Sequence, residues 1–390
     1  MNVSRKQKTG KEIFKNNLDK INKIPNNVIS KEELDLYLKN LNKSYDKKYK
    51  NTFNKPFIYR KNPDNLEYKC FKNINIKKNI NNLQDLIDLI NENPLYPDLN
   101  YNIDLIPLNK IKTELIKLNN MIGLNSLKNN IINQILYYIQ DLHSFDKDHS
   151  DFLHIVLYGP PGTGKTEIAK IIGNIFSKLN ILKANKFKKV TRADLIAGYL
   201  GQTALKTKTV IEESLDGVLF IDEAYSLGNS EKRDSFSKEC IDTICEALTD
   251  YKSRLMVIIA GYEDELEKCF FSYNPGLESR FIWKYKTDLY NGFELMQIFN
   301  KKINEINWKI KIEEKILRDW FESNKKFFKY YGRSIETLIT KTKIIHGKRI
   351  FEDLNNNNKK SINLDDLEGG FKLMNLEKTE DNNYIYTLYH

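Results

Sequence analysis

Gly159-Pro160-Pro161-Gly162-Thr163-Gly164-Lys165-Thr166 stands between an apolar, strand-like run at 155 to 158 and a helix-like stretch that begins at Glu167. The eight residues fit the pattern G-x-x-x-x-G-K-[ST], whose reading is mechanical. Glycines let successive backbone N–H groups turn inward on an anion, and the helix that follows aims the positive end of its dipole at the same point. Such a cradle suits phosphate. Lys165 is then within reach of β and γ phosphates, and the Thr166 hydroxyl is placed to ligate Mg2+. A plain glycine-rich turn could show the same letters, but the strand before and the helix after are the setting a phosphate cradle needs.

Further along, Val218-Leu219-Phe220-Ile221-Asp222-Glu223 is an apolar run that ends in two carboxylates. An acidic strand end can simply cap the next helix. Downstream of a phosphate cradle it has a fuller reading, in which Asp222 shares Mg2+ with Thr166 while Glu223 orients and polarises an attacking water. Together the two runs imply hydrolysis of a nucleoside triphosphate, with Mg2+ as an expected cofactor.

Around them the chain alternates strand-like and helix-like periods, the signature of a mostly parallel sheet covered on both faces. Strands are expected at 154 to 158, 188 to 191, 217 to 221, 255 to 260 and 281 to 286. A helix at 165 to 179 carries Ile168, Ile171, Ile172, Ile175 and Leu179 at helical spacing, and one at 235 to 251 carries Ile241, Ile244, Leu248 and Tyr251. After Asp288 the strand signals stop. Helices are expected at about 292 to 306, 312 to 328 and 333 to 350, then an asparagine loop at 355 to 358 and a last helix at 365 to 375.

The chain's 390 residues exceed what one core usually organises, so two or three domains are expected, and 41% hydrophobic residues suffice to fill them. No apolar run approaches the roughly 20 residues of a membrane span, and the first residues are not followed by the apolar stretch of a signal peptide. A soluble, intracellular protein without a membrane partner is the expectation. Cys70, Cys240, Cys245 and Cys269 form neither a C-x-x-C pair nor a cluster with histidines, so they read as reduced packing residues. Most of the net charge of +10 comes from residues 1 to 115. A basic leader can be a nucleic-acid footprint, although lysines scattered among asparagines more often just solvate a surface.

Residues 1 to about 29 are polar and without apolar periodicity. Ser30 with Glu33 forms a capping box opening a helix that bears Leu34, Leu38 and Leu41. A second amphipathic stretch spans 83 to 90, a turn-rich one 91 to 102, and a helical pattern 108 to 118, before Met121-Ile122-Gly123-Leu124.

With these runs in view the chain resembles the AAA+ ATPases, in particular the CbbX-like and stage V sporulation protein K-like clade. The resemblance rests on Met121-Ile122-Gly123-Leu124, on the cradle, and on the stretch from Val190-Thr191-Arg192-Ala193-Asp194-Leu195 through Gly198-Tyr199-Leu200-Gly201-Gln202-Thr203-Ala204 to Lys206-Thr207. It continues with Leu219-Phe220-Ile221-Asp222-Glu223-Ala224-Tyr225-Ser226-Leu227, Ile259-Ala260-Gly261-Tyr262, Asn274-Pro275-Gly276-Leu277-Glu278-Ser279-Arg280-Phe281 and the short Gly332-Arg333. It covers roughly residues 108 to 372.

The resemblance implies an α/β fold: a P-loop AAA+ module with a five-stranded parallel sheet and a C-terminal helical lid, preceded by a mostly helical N-terminal region. The corresponding divisions are 1–107, of unknown role; 108–288, the nucleotide-binding domain with its linker; and 289–390, the lid and tail. It also implies a homo-oligomeric ring, usually hexameric, with ATP between subunits. In such a ring Arg280 is the arginine finger that reaches the neighbour's γ phosphate, Arg333 is the sensor-2 arginine, and Ile122 and Gly123 flank the adenine. Tyr199, Leu200 and Gly201 fall where these rings line their pore, and would grip a protein client. Ala260-Gly261-Tyr262 departs from the Asn or Thr common at sensor 1 but agrees with the nearest clade, which makes Tyr262 a candidate sensor. The alternatives are a nucleic-acid-handling ATPase that uses the basic leader and a nucleotide-gated scaffold.

Overall fold

All residues of Ile155–Tyr158, Val218–Ile221 and Met256–Ala260 are buried. Strands with no polar face need cover on both sides, which is the situation of the interior strands of a parallel sheet. The computed structural model describes residues 58–61, 67–70, 72–96, 99–143, 151–199, 201–231, 233–351 and 359–387.

Two compact units divide the chain: residues 1–76 with 95–102, and residues 77–94 with 103–390. In the first, β1 (Ile58–Lys61) pairs antiparallel with β2 (Glu67–Cys70), and β3 (Lys72–Ile74) pairs parallel with β4 (Leu99–Tyr101). A strand thus stands inside the stretch expected to be only turns. Its three residues sit among Asn and Pro, and pairing with β3 rather than local pattern makes them a strand. The helix expected from Ser30 lies outside the described residues.

The second unit opens with helix Leu83–Glu92, started by a reciprocal Asn82–Asp85 capping box, and helix Leu105–Asn119, longer at both ends than the apolar spacing suggested. Helix Asn125–Ile139, not anticipated, leads to the sheet. The sheet consists of β5 (Ile155–Tyr158), β6 (Phe187–Val190), β7 (Val218–Ile221), β8 (Met256–Gly261) and β9 (Trp283–Lys286). Its order is β6-β7-β8-β5-β9, with every pairing parallel. All five expected strands are present within two residues. The largest shift is at β9, where helix Pro275–Arg280 runs up to Phe281.

Helix Lys165–Lys178 buries Ile168, Ile171, Ile172, Ile175 and Phe176, on the order of 10 kcal/mol of apolar burial. On the other face, helix Ser235–Asp250 buries Ile241, Ile244 and Leu248 with β7, β8 and Phe281 in one cluster. Parallel strands align their carboxyl ends, so Gly159, Thr191, Asp222, Tyr262 and Thr287, each just beyond a strand, share one edge of the sheet.

The lid has its own core of Leu295, Met296, Phe299, Ile303, Leu317, Phe321, Phe328, Ile335 and Leu338. It is built from helices Gly292–Glu305, Glu314–Asn324, Tyr331–Arg349 and Leu364–Thr387. Three differences from expectation stand here, the first being that the last helix, expected to end at 375, runs on to Thr387. The second helix ends at Asn324 and gives way to a 3-10 turn at Lys325–Phe327, and the short parallel pair β10 (Lys309–Ile310) and β11 (Ser361–Ile362) was not foreseen. The asparagine loop lies outside the described residues. Among the described residues Cys240, Cys245 and Cys269 are buried free thiols, and no helix is long and apolar enough to cross a membrane.

Candidate nucleotide site

The cradle is held by side chains as well as by its own turns. Gly159 has φ +153, and a Cβ there would stand 1.8 Å from Thr287 Oγ1, so no other residue fits. Thr163, nearly fully buried, donates its hydroxyl to the Pro160 carbonyl at 2.9 Å and meets Thr287 Oγ1 at 3.1 Å. Thr287 Oγ1 in turn bonds the Tyr158 carbonyl at 3.2 Å, and Tyr290 donates to the Thr163 carbonyl at 3.3 Å. Lys165 donates to the carbonyls of Gly159 and Pro160, each at 2.8 Å. Thr166 is half-buried at the second position of the helix, with Gly164 left-handed before it.

Asp222 and Glu223 extend from β7 toward this loop. Asp222 pairs with Lys189 of β6 at 2.6 Å. Glu223 adopts φ 51 and ψ 47, a left-handed conformation costing a non-glycine residue about 1 kcal/mol or more. The 3-10 turn Ala224–Leu227 that follows imposes it, with Ser226 N–H donating to the Glu223 carbonyl at 2.8 Å. A strained carboxylate at a strand end is where backbone strain tends to coincide with function.

Electrostatics shows what is gathered here. Burial holds the Lys165 ammonium below the ordinary lysine range, Asp222 and Glu223 oppose this, and Arg333 adds to it. The Tyr262 phenol is pushed up, chiefly by burial, then by Tyr330 and Glu223, with Arg333 opposing. Tyr262 also packs on Tyr225, ring centroids 6.1 Å apart. Lys165 and Tyr262 therefore both feel Glu223 and Arg333, and Lys165 feels Asp222 as well. A carboxylate and a hydroxyl are both hard oxygen donors of the kind Mg2+ takes, so Asp222 and Thr166 fit that ion by their chemistry.

Arg333 arrives through the lid. Gly332 N–H donates to the Gly162 carbonyl at 3.1 Å, and a Cβ on Gly162, at φ +82, would meet the Tyr330 carbonyl at 2.0 Å. On the linker side Gly123 has φ +62, and its Cβ would lie 2.6 Å from Glu294 Oε1 of the first lid helix and 3.2 Å from Tyr290. Ile122 lines an open cleft with Phe293, Met296 and Gln297 of that helix. Pro161 and Gly164 complete the loop, with Met121 against Gly164.

Arg280 stands apart from this group. Its Nε donates to Thr249 Oγ1 at 2.8 Å and Nη1 to the Gly276 carbonyl at 2.5 Å, and its charge acts on His154 and Cys245. Glu278, two residues before it, pairs with Lys284 at 2.5 Å. Tyr199 is 74% exposed; a Cβ on either Gly198 or Gly201 would meet nothing within 4 Å. Leu200 lies outside the described residues.

Sequence reasoning missed Thr287, Tyr290 and Lys189. Thr287 carried a usable signal, a hydroxyl directly after the strand that borders the cradle.

A parallel sheet of this order, with a phosphate cradle ending one strand and paired carboxylates ending another, defines a P-loop nucleotide-hydrolysing domain. Residues 155–281 match the family described as "ATPase family associated with various cellular activities (AAA)". Over 314 residues the chain is 38% identical to the cfxQ-like protein R730 of Acanthamoeba polyphaga mimivirus, covering 80% of this chain and 75% of that protein. It is 42% identical over 161 residues to stage V sporulation protein K of Bacillus subtilis, 41% of this chain and 49% of that one. Among solved structures the AAA domain of FIGL-1 in complex with ADP aligns over 65% of this chain and 83% of its own, with a TM-score of 0.49 and 20% identity. The chain belongs to the AAA+ ATPases, within the clade that includes stage V sporulation protein K and the cfxQ-like proteins. It is an ATPase.

Proposed function

We propose that this ATPase remodels or threads a protein client through the pore of a homo-oligomeric ring, probed by Tyr199, Leu200 and Gly201. The observation that carries the reading is Tyr199, a large aromatic side chain 74% exposed between two glycines and close in sequence to β6, whose end adjoins Asp222. A ring of six is the arrangement that sets one protomer's Arg280 against the next protomer's γ phosphate. The divisions at 107 and 288 separate an N-terminal region, the nucleotide domain and the lid.

At the site, the cradle 159–166 holds the phosphates, Ile122 and Gly123 flank the base, and Lys165 neutralises charge on the β and γ oxygens. Mg2+ on Thr166 and Asp222 would offset the charge that develops on the phosphates. Glu223 holds a water whose oxygen attacks the γ phosphorus as the bond to the β-γ bridging oxygen breaks. ADP, phosphate and a proton leave. Arg280 stabilises the transferring group in trans, Arg333 reports phosphate occupancy to the lid, and Tyr262 serves as sensor 1.

The test is a trap. Full-length Glu223→Gln, loaded with ATP in its native cell, should retain the client. A polypeptide that co-purifies and is lost on adding Tyr199→Ala supports threading. Nuclease-sensitive nucleic acid, lost on deleting residues 1–107, would replace this reading with a nucleic-acid-handling one. Tyr199→Ala that leaves remodelling and client-stimulated turnover intact would sink the pore reading.

A further inference from the structure

One guanidinium binds together three segments: the short helix it opens, the turn after Glu223 and the start of helix Ser235–Asp250. Arg192 Nη1 donates to the carbonyls of Ser226 at 2.7 Å and Leu227 at 2.9 Å, and to Ser237 Oγ at 3.1 Å. Its Nη2 donates to Asp234 Oδ2 at 2.7 Å. Ser226 and Leu227 lie in the 3-10 turn that holds Glu223 left-handed. Asp234 is the N-cap of helix Ser235–Asp250 and also accepts from Phe236 N–H, Ser237 N–H and Ser237 Oγ. Although burial works the other way, the Ser237 hydroxyl and Arg192 bring its carboxyl down to about 2, so the pair is fully charged at neutral pH. Arg192 itself opens the short helix Arg192–Leu195, whose far end is the root of the Tyr199 loop.

That root is tied down on both sides. Lys206 Nζ donates to the carbonyls of Ala193 at 2.6 Å and Ile196 at 2.9 Å, Thr207 Oγ1 to Leu195 at 3.0 Å, and Ala197 N–H to Thr203 Oγ1 at 3.2 Å. Helix Arg192–Leu195 is therefore bonded to the base of the loop, and Arg192 fixes it to the turn behind Glu223. Thr191, Arg192, Ala193 and Ile196 face Asp222, Glu223 and Ser226 across one cleft.

We propose that Arg192 is a positioning residue that couples the nucleotide state sensed at Asp222 and Glu223 to the Tyr199 loop, through the Ser226 and Leu227 carbonyls and the Asp234 carboxylate. The inference rests on the threading reading. Two carbonyls and a carboxylate held at once need the planar fork of arginine; the compact ammonium of lysine cannot reproduce that geometry.

The test is hydrogen exchange on the full chain with Mg2+ and either ATPγS or ADP, read in peptides covering 192–199. Wild type should show a nucleotide-dependent difference of about tenfold in local opening. In Arg192→Lys the ratio should fall toward one, while ATPγS affinity and thermal midpoint stay near wild type; Asp234→Asn should shift it the same way by less. A ratio preserved in Arg192→Lys overturns the coupling. So does a ratio lost only in step with affinity or thermal midpoint, which is what a merely structural role gives. If Arg192→Lys does not fold, Asp234→Asn decides on the same criteria. A wild type in which peptides of the cradle respond and those of 192–199 do not would overturn the threading reading itself.

Discussion

The backbone N–H of Gly332, at the start of the lid helix that carries Arg333, donates to the carbonyl of Gly162 at 3.1 Å. The lid is thus docked main chain to main chain on the phosphate loop, and a shift in one is felt in the other. Gly162 permits this because it has no Cβ to strike the Tyr330 carbonyl.

Gly162→Ala should therefore separate lid from loop. Its Cβ would stand 2.0 Å from the Tyr330 carbonyl, and φ is +82. ATP affinity should fall by about tenfold or more, with a strain cost of about 1 to 3 kcal/mol. Titration with a fluorescent ATP analogue and a thermal melt check both figures; an unchanged affinity would mean that the docking is dispensable.

Glu223→Gln keeps the shape of the side chain but removes the charge to which we assign the orienting of the water. Turnover should drop by roughly two to four orders of magnitude while ATP binding changes little. Steady-state phosphate release and equilibrium nucleotide binding separate the two effects. Comparable loss in both would instead assign Glu223 to binding.

Arg280 lies away from its own chain's Lys165 group, bonded to Thr249 and Gly276. Arg280→Ala alone should lower turnover on the order of a thousandfold with ATP affinity retained. Mixing it with Glu223→Gln chains should restore part of the activity, since an intact carboxylate then meets an intact arginine across some interfaces. Absence of any rescue would remove Arg280 from the neighbour's site.

What could be read from the sequence was what is contiguous. β5, β7 and β8 are unbroken apolar runs, and Lys165, Thr166, Asp222 and Glu223 sit in short motifs whose spacing is set by a single turn. Helix Asn125–Ile139 escaped because it starts from a left-handed Leu124 with no side-chain cap, and Thr203–Glu213 because its Thr- and Lys-rich surface weakens the apolar period. The strands β10 and β11 are two residues each and exist through their pairing. Arg192 meets Asp234 across 42 residues, a separation that leaves no local mark, and Thr287 meets Thr163 across 124, with only its place directly after a strand to betray it.

His154 shows the same principle in the sheet and gives a pH prediction. It is fully buried just before β5; Nε2 donates to the Leu248 carbonyl at 3.1 Å, and Nδ1 accepts from Val257 N–H at 3.2 Å, which fixes a neutral tautomer. Burial, with Arg280 adding to it, lowers its pKa to about 4, against about 6.5 for an ordinary histidine. Above about pH 6.5 the ring is neutral in both folded and unfolded chains and folding carries no proton cost. As pH falls toward 4 the unfolded chain takes up a proton that the folded one refuses, so stability drops, by roughly 3 kcal/mol in all at the acid end of that window. Urea midpoints at pH 8 and pH 4.5 measure the drop. His154→Gln should unfold more easily at pH 8, because the Leu248 and Val257 backbone groups lose a well-placed partner, yet lose less stability on acidification than wild type. Equal pH dependence in the two proteins would show that His154 takes no part in it.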